Sequence, residues 1–273
     1  MPVRLSCCSH SPLMALAIEP TDSSAQQAFY AGLAAQARAL EDFAPDLVVV
    51  FGPDHFNGFF YELMPMFCIG TAAQSSKDWN LEGGPLKVPR ALALSCVRHL
   101  HSRDFDVAVS HEMKVDHGIT IPLFKLTGAL ARYNVLPIFI NCAADPRPSF
   151  KRARTFGTAI GEFLADKNLR ITFIGSGGLS HDPPTPRLEM SPPDVAKRLI
   201  QRGTPAVEEL DARQARVIRA ARDIVVGKGP CLPPDEQWDH NFLSSFVANR
   251  LEDFDTMTDD EIDRVAGFGA HEV

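Results

Sequence analysis

Short β-branched runs alternate with longer helical patterns along this chain, and that alternation constrains the fold more than any other feature. Residues 46–52 read DLVVVFG, residues 135–141 read VLPIFIN and residues 170–175 read RITFIG. Each is a continuous apolar run of strand length, the signature of a strand buried on both faces. Residues 105–110, FDVAVS, read as another. Between these runs lie segments with helical spacing. Residues 26–44 are rich in Ala and Leu and stop at Pro45, residues 90–101 and 121–132 carry the same period, and a further helix is expected around 150–166. The expected fold class is therefore α/β, with a central, mostly parallel sheet flanked by helices.

The last third reads differently. Pro-rich stretches at 182–193 and 229–234 bracket a charged helix at about 205–226. A helix near 238–251 and a capped helix in TDDEIDRVAG follow. This helical C-terminal third is expected to pack over the sheet. Neither Pro-rich stretch is long or polar enough to serve as a linker, and there are no internal repeats, so residues 1–273 are expected to form a single domain.

The charge balance removes several functions. With 27 Lys and Arg against 34 Asp and Glu the net charge is −7, and no basic block is present. Sequence-independent nucleic-acid binding, which needs many phosphate contacts, is not expected. No apolar stretch approaches the roughly 18–20 residues of a membrane helix. The opening MPVRLSCCSHSPL is broken by Arg4 and His10 and does not read as a signal peptide. The six cysteines, at 7, 8, 68, 96, 142 and 231, form no C-x-x-C pair. They read as reduced, largely buried thiols of a cytoplasmic protein.

In open α/β sheets ligands bind beyond the carboxyl ends of the strands. Histidines fall at those places: His10 in Ser9-His10-Ser11-Pro12, His55 after 46–51, His117 in Asp116-His117-Gly118 after the FDVAVS run, and His181 in Gly178-Leu179-Ser180-His181 after 170–175. A lone loop histidine is more often a capping or core residue, so it is the joint placement that points to a site. His99 and His101 lie at a helix end and suit its dipole, while His111 and His240 stay open. Several motifs are absent. His111-Glu112 has no second His four residues on, Ile174 breaks a G-x-S-x-G around Ser176, and Gly175-Ser176-Gly177-Gly178 is neither a P-loop nor a dinucleotide fingerprint. That glycine run reads as a tight turn that aims His181. Without paired cysteines, a metal would be held by imidazole and carboxylate. This is the donor set of non-haem Fe(II) oxygenases and also of some zinc hydrolases.

CCSHSPL at 7–13, FGPDHFNGFFYELMPMFCIG at 51–70, VDHG at 115–118, VLPIFIN at 135–141 and GSGGLSHDPP at 175–184 together resemble the class III extradiol ring-cleavage dioxygenases, in collinear order over essentially the whole chain. The resemblance implies an Fe(II) enzyme that opens a catechol ring with O2 and needs no organic cofactor. It implies His10 and His55 as imidazole ligands of the iron. Glu272, in Gly269-Ala270-His271-Glu272, would be the carboxylate ligand. His117 resembles the family's catalytic acid and His181 its base. The resemblance further implies a homo-oligomer and a family C-terminal tail beyond this segment, so that 1–273 would be the catalytic domain without that tail.

Two other readings stand beside it: a zinc-dependent hydrolase on the same scaffold, and a binding protein that keeps the pocket without the chemistry. The pairing of His117 with His181 favours the enzyme, because a binding module needs no acid and base. A propionate or acrylate tail on the catechol would call for a cation, for which Arg4, Lys114, Lys125 and Arg187 are candidates. Phe56, Phe59, Phe60 and Tyr61 could line a ring pocket or fill the core, and Trp238 has no assigned role.

Overall fold

The computed structural model describes residues 1–16, 23–203 and 205–273. The chain divides into two compact units. One comprises Met1–Gly58, Pro65–Asn141 and Phe156–Gly177; the other comprises Phe59–Met64, Cys142–Thr155 and Gly178–Val273.

The first unit is the α/β body. Its strands are β1 (Val3–Cys8), β2 (Leu47–Gly52), β3 (Phe67–Gly70), β4 (Ala73–Ser75), β5 (Ala108–Ser110), β6 (Met113–Val115), β7 (Val135–Ile140) and β8 (Ile171–Ser176). Six form a sheet in the order β1-β8-β2-β7-β3-β5, and β4 pairs with β6 alone. β1, β8, β2 and β7 run parallel; β3 is antiparallel to β7, and β5 is parallel to β3. The sheet is thus mostly parallel, as the continuous apolar runs imply. Helices α1 (Ser24–Phe43), α2 (Arg90–His101), α3 (His117–Thr127) and α4 (Phe150–Ala165) alternate with the strands.

Burial follows from strand periodicity. On one face Leu47, Val49, Leu136, Ile138 and Ile171 pack against Ala93, Cys96, Val97 and Leu100 of α2 and Phe156, Ile160 and Leu164 of α4. On the other, α1 packs against α3 and β1, and α3 packs against β2 and β8. The approach of α3 needs Gly52: a Cβ there would meet the Gly118 carbonyl oxygen at 2.9 Å and the Ile119 side chain at 2.7 Å.

Two expectations are corrected. The helix expected over 121–132 begins at His117 and ends at Thr127. The Asp116 side chain accepts the Gly118 N–H at 2.8 Å as an N-cap, and Gly128, at φ 81°, closes the C-terminus. Of the expected strand 105–110 only Ala108–Ser110 pairs, while Phe105 and Val107 turn into the core. That strand also runs opposite to β2, so its carboxyl end does not lead directly to His117. The chain continues through β6 instead. The pairs Cys68↔Ala108 in β3 and β5 and Ser75↔Val115 in β4 and β6 keep one constant offset of 40 residues.

The second unit holds α5 (Pro193–Ile200), α6 (Val207–Val225), α7 (Glu236–Val247) and α8 (Asp259–Val265). The TDDEIDRVAG helix forms as expected, with a complete capping box between Thr258 and Glu261. Trp238 proves to be a packing residue. It sits with Phe150 and Met257 on Ile262, Ala266 and Ala270, and stacks on Phe242. All six cysteines are free thiols, Cys8, Cys68, Cys96 and Cys142 buried and Cys7 exposed. Among the described residues no helix is long and apolar enough to cross a membrane.

Leu136 is completely buried at the centre of the larger core. Leu136→Ala is expected to lower the unfolding free energy by about 2–5 kcal/mol, measured by denaturant titration of the purified protein.

Candidate active site

In the first unit the site begins with the turn after β2. The Asp54 carboxylate accepts the backbone N–H groups of Asn57 at 3.1 Å and Gly58 at 2.8 Å, closing the PDHFNG loop and projecting His55. The structure brings three of the expected histidines together here. Ring centroids lie 5.1 Å apart for His10 and His55, 5.8 Å for His10 and His117, and 4.1 Å for the stacked pair His55 and His117.

Asp116 is fully buried and links them. Its Oδ2 accepts the His55 backbone N–H at 2.7 Å, the His55 Nδ1–H at 3.0 Å and the Asn57 amide at 2.9 Å, while Oδ1 caps α3. Burial alone would raise the carboxyl's pKa. The imidazoles of His117 and His55, with the hydrogen bonds from His55 and Asn57, outweigh that and hold it well below the ordinary carboxylate range. His55, Asp116 and His117 each place a ligand atom where a metal could be shared. Both oxygens of Asp116 already receive N–H donors, however, which suits a group that orients ligands better than one that binds metal itself.

The same logic fixes the other two rings. His10 Nδ1 lies 3.0 Å from Ser176 Oγ, and that hydroxyl donates to the Gly118 carbonyl. With its proton given away, Ser176 Oγ can only accept from His10, so His10 carries its proton on Nδ1. The Gly118 carbonyl is available because residue 122, whose N–H would bond it in a regular helix, is proline. His117 Nδ1 lies 2.5 Å from Asp78 Oδ2. In each of the three rings Nδ1 bears the proton and Nε2 the lone pair.

The second unit presents the other two expected residues. His181 Nδ1–H donates to the Leu179 carbonyl at 2.8 Å, so this ring too has its lone pair on Nε2, which lies 3.7 Å from Glu272 Oε2. Glu272 is half-buried at the end of a 3-10 turn, Phe268–Glu272, with its side chain only 6% exposed. That turn is pinned on several sides. The Gly269 N–H donates to the His181 carbonyl at 2.9 Å, and the Phe268 N–H donates to Asp182 at 3.2 Å. Guanidinium groups of Arg147 and Arg187 lie over the Phe268 ring, and His271 Nε2 is 2.9 Å from Asp263, which also binds Arg187 at 2.8 Å. Burial, reinforced by Arg147, pushes the His271 pKa down. Burial pushes the Cys142 thiol up, with the Glu272 charge adding to it.

The remaining histidines lie elsewhere: His99 against Phe163, His101 on the Val107 carbonyl, His111 on Thr71, and His240 exposed on α7. Of the candidate cations, Lys114 and Lys125 are exposed, Arg4 bonds Gln36, and Arg187 flanks Phe268. Phe60 is buried beneath Arg202. The roles of Ser176, Asn57, Asp116 and Asp78 emerge only in three dimensions.

Comparison with known proteins decides the class. Residues 4–273 match the family described as the catalytic LigB subunit of aromatic ring-opening dioxygenase. The chain belongs to this family. It is an aromatic ring-opening dioxygenase of the extradiol type, which implies an aromatic substrate, O2 and a metal cofactor, and sets aside the non-enzymatic reading. Over 273 residues, all of this chain and 86% of each relative, it is 45% identical to proteins named 2,3-dihydroxyphenylpropionate/2,3-dihydroxicinnamic acid 1,2-dioxygenase from Cupriavidus pinatubonensis and Paraburkholderia xenovorans. A Rhodococcus protein of the same name is 42% identical over the same span.

In this LigB-family dioxygenase the His181 ring leaves no room beside Gly178: a Cβ there would lie 2.7 Å from Cε1 and 2.9 Å from Nδ1. Gly178→Ala is expected to displace the imidazole and lower kcat on a catechol by about 10²-fold, with the melting temperature little changed.

Proposed function

We propose that the protein is an Fe(II)-dependent dioxygenase that opens the ring of 2,3-dihydroxyphenylpropionate with O2, giving 2-hydroxy-6-oxonona-2,4-dienedioate, and that also accepts 2,3-dihydroxycinnamate. His10, His55 and Glu272 hold the metal, His181 is the catalytic base and His117 the catalytic acid. The observation that carries this reading is the common tautomer: Nδ1 of each of the four histidines is engaged by Ser176, Asp116, Asp78 or the Leu179 carbonyl, so that Nε2 is the working nitrogen. Two neutral imidazoles and a carboxylate form the donor set of the facial triad. The names of the relatives support the substrate.

When bound, Fe(II) would supply Lewis acidity and a common meeting place for the catechol oxygens and O2. The chain's own residues move the protons. His181 takes a catechol hydroxyl proton at Nε2 as the substrate arrives, which raises electron density on the ring. His117, its Nδ1–H held by Asp78, acts as the acid after its Nε2 has taken up a proton from solvent. It gives that proton to an oxygen as the ring carbon–carbon bond breaks. The resemblance supports a homo-oligomer working in the cytoplasm, and the exposed Val207, Val225 and Val247 in the helical unit offer apolar surface for a subunit contact.

Protein purified anaerobically and loaded with Fe(II) is expected to take up O2 and form a yellow ring-fission product with 2,3-dihydroxyphenylpropionate faster than with catechol or protocatechuate. Zn(II) loading should give none. O2 uptake only with protocatechuate would overturn the substrate assignment. His10→Ala, His55→Ala and Glu272→Ala should purify without iron, whereas His117→Gln and His181→Gln should keep it and lose about 10²–10⁴-fold in kcat. Ser176→Ala, which releases the His10 ring, is expected to weaken Fe(II) binding by about 10- to 100-fold in a metal titration.

A further inference from the structure

We propose that Asp78 positions His117 for its proton transfer, an inference that rests on the acid role given to His117 above. Asp78 stands in SSKDWNLEGG, which contains no recognisable motif, and it lies 39 residues from His117 in the chain. One of its oxygens, Oδ2, accepts two N–H groups of that single residue, the ring Nδ1–H at 2.5 Å and the backbone N–H at 3.2 Å. Gripping both backbone and ring sets the imidazole's rotation as well as its tautomer. The second oxygen is held by the Ser76 hydroxyl at 2.9 Å, so the carboxylate is itself fixed.

Asp116 cannot take over this task. Its Oδ2 lies 3.6 Å from His117 Nδ1 and is already occupied by His55 and Asn57. Both side chains of the Asp78–His117 pair are over nine-tenths buried, which strengthens the bond between them.

The backbone around Asp78 supports a functional reading. Lys77, Trp79 and Asn80 all adopt left-handed conformations, at φ 62°, 55° and 57°. Such conformations are uncommon and costly for residues other than glycine, and they collect where geometry serves a site. Here they turn a three-residue 3-10 segment, Asp78–Asn80, so that Asp78 and the Trp79 ring both face His117, the ring centroids 6.2 Å apart.

A double-mutant cycle with Fe(II)-loaded enzyme and 2,3-dihydroxyphenylpropionate tests this. Asp78→Ala is expected to lower kcat at least about 10-fold with KM changed by less than roughly twofold and iron content unchanged. In the His117→Gln background the same substitution should change kcat by less than about twofold, because the group it serves is gone. A merely structural role would lower kcat by the same factor in both backgrounds, and that result overturns the proposal, as does an Asp78→Ala enzyme with the parent kcat. Should Asp78→Ala not fold, the isosteric Asp78→Asn takes its place in the cycle. If His117→Gln itself keeps the parent kcat, the acid assignment falls and this proposal with it. If only the Asp78 arm fails, the acid assignment stands.

Discussion

The chemistry of the first unit hangs on one buried carboxylate. Asp116 receives N–H groups from the His55 backbone, the His55 ring, Asn57 and Gly118, joining the loop after β2 to the first turn of α3. An unpaired carboxylate at such a place would be very costly; with these donors it is held as an anion and becomes a fixed reference for its neighbours. Helix capping and histidine orientation are therefore one interaction, since one oxygen starts the helix and the other sets the ring. His117 follows directly as the first residue of that helix.

A second chain of contacts begins at a proline inside α3. By lacking an N–H, Pro122 leaves the Gly118 carbonyl to Ser176, and Ser176 in turn dictates which nitrogen of His10 is protonated. A residue that would ordinarily weaken a helix serves here to direct the proton on an imidazole two contacts away. Pro122 also illustrates a general point: a local irregularity in a buried element often has its explanation in the polar groups it releases.

Much of the α/β body was legible in the residues, because β2, β7 and β8 are continuous apolar runs and α1, α2 and α4 carry clean helical periods. Boundaries failed where local signals conflict. HGITIPLF is apolar all round, since α3 is buried, and Pro122 reads as a helix start rather than an interior residue. β3, β4 and β6 span only three or four residues each, too few for periodicity to show. The histidines were legible as strand-end residues and through the family resemblance. Their partners were not: Ser176 and Asp78 meet His10 and His117 across 166 and 39 residues, through pairings that no local pattern encodes.

The constant offset between the two edge segments has a consequence of its own. From Cys68↔Ala108 to Ser75↔Val115 the segments advance in lockstep, and Asp78 and His117 leave them three and two residues later. The paired ribbon works as a ruler that measures both residues out to one place. An insertion inside either segment would slip one residue past the other and turn it to the opposite face. The loops and helix between Asn80 and Val107 lie off the ruler, and their length can drift without disturbing its end. In this part of the chain, change in length and change in chemistry are uncoupled.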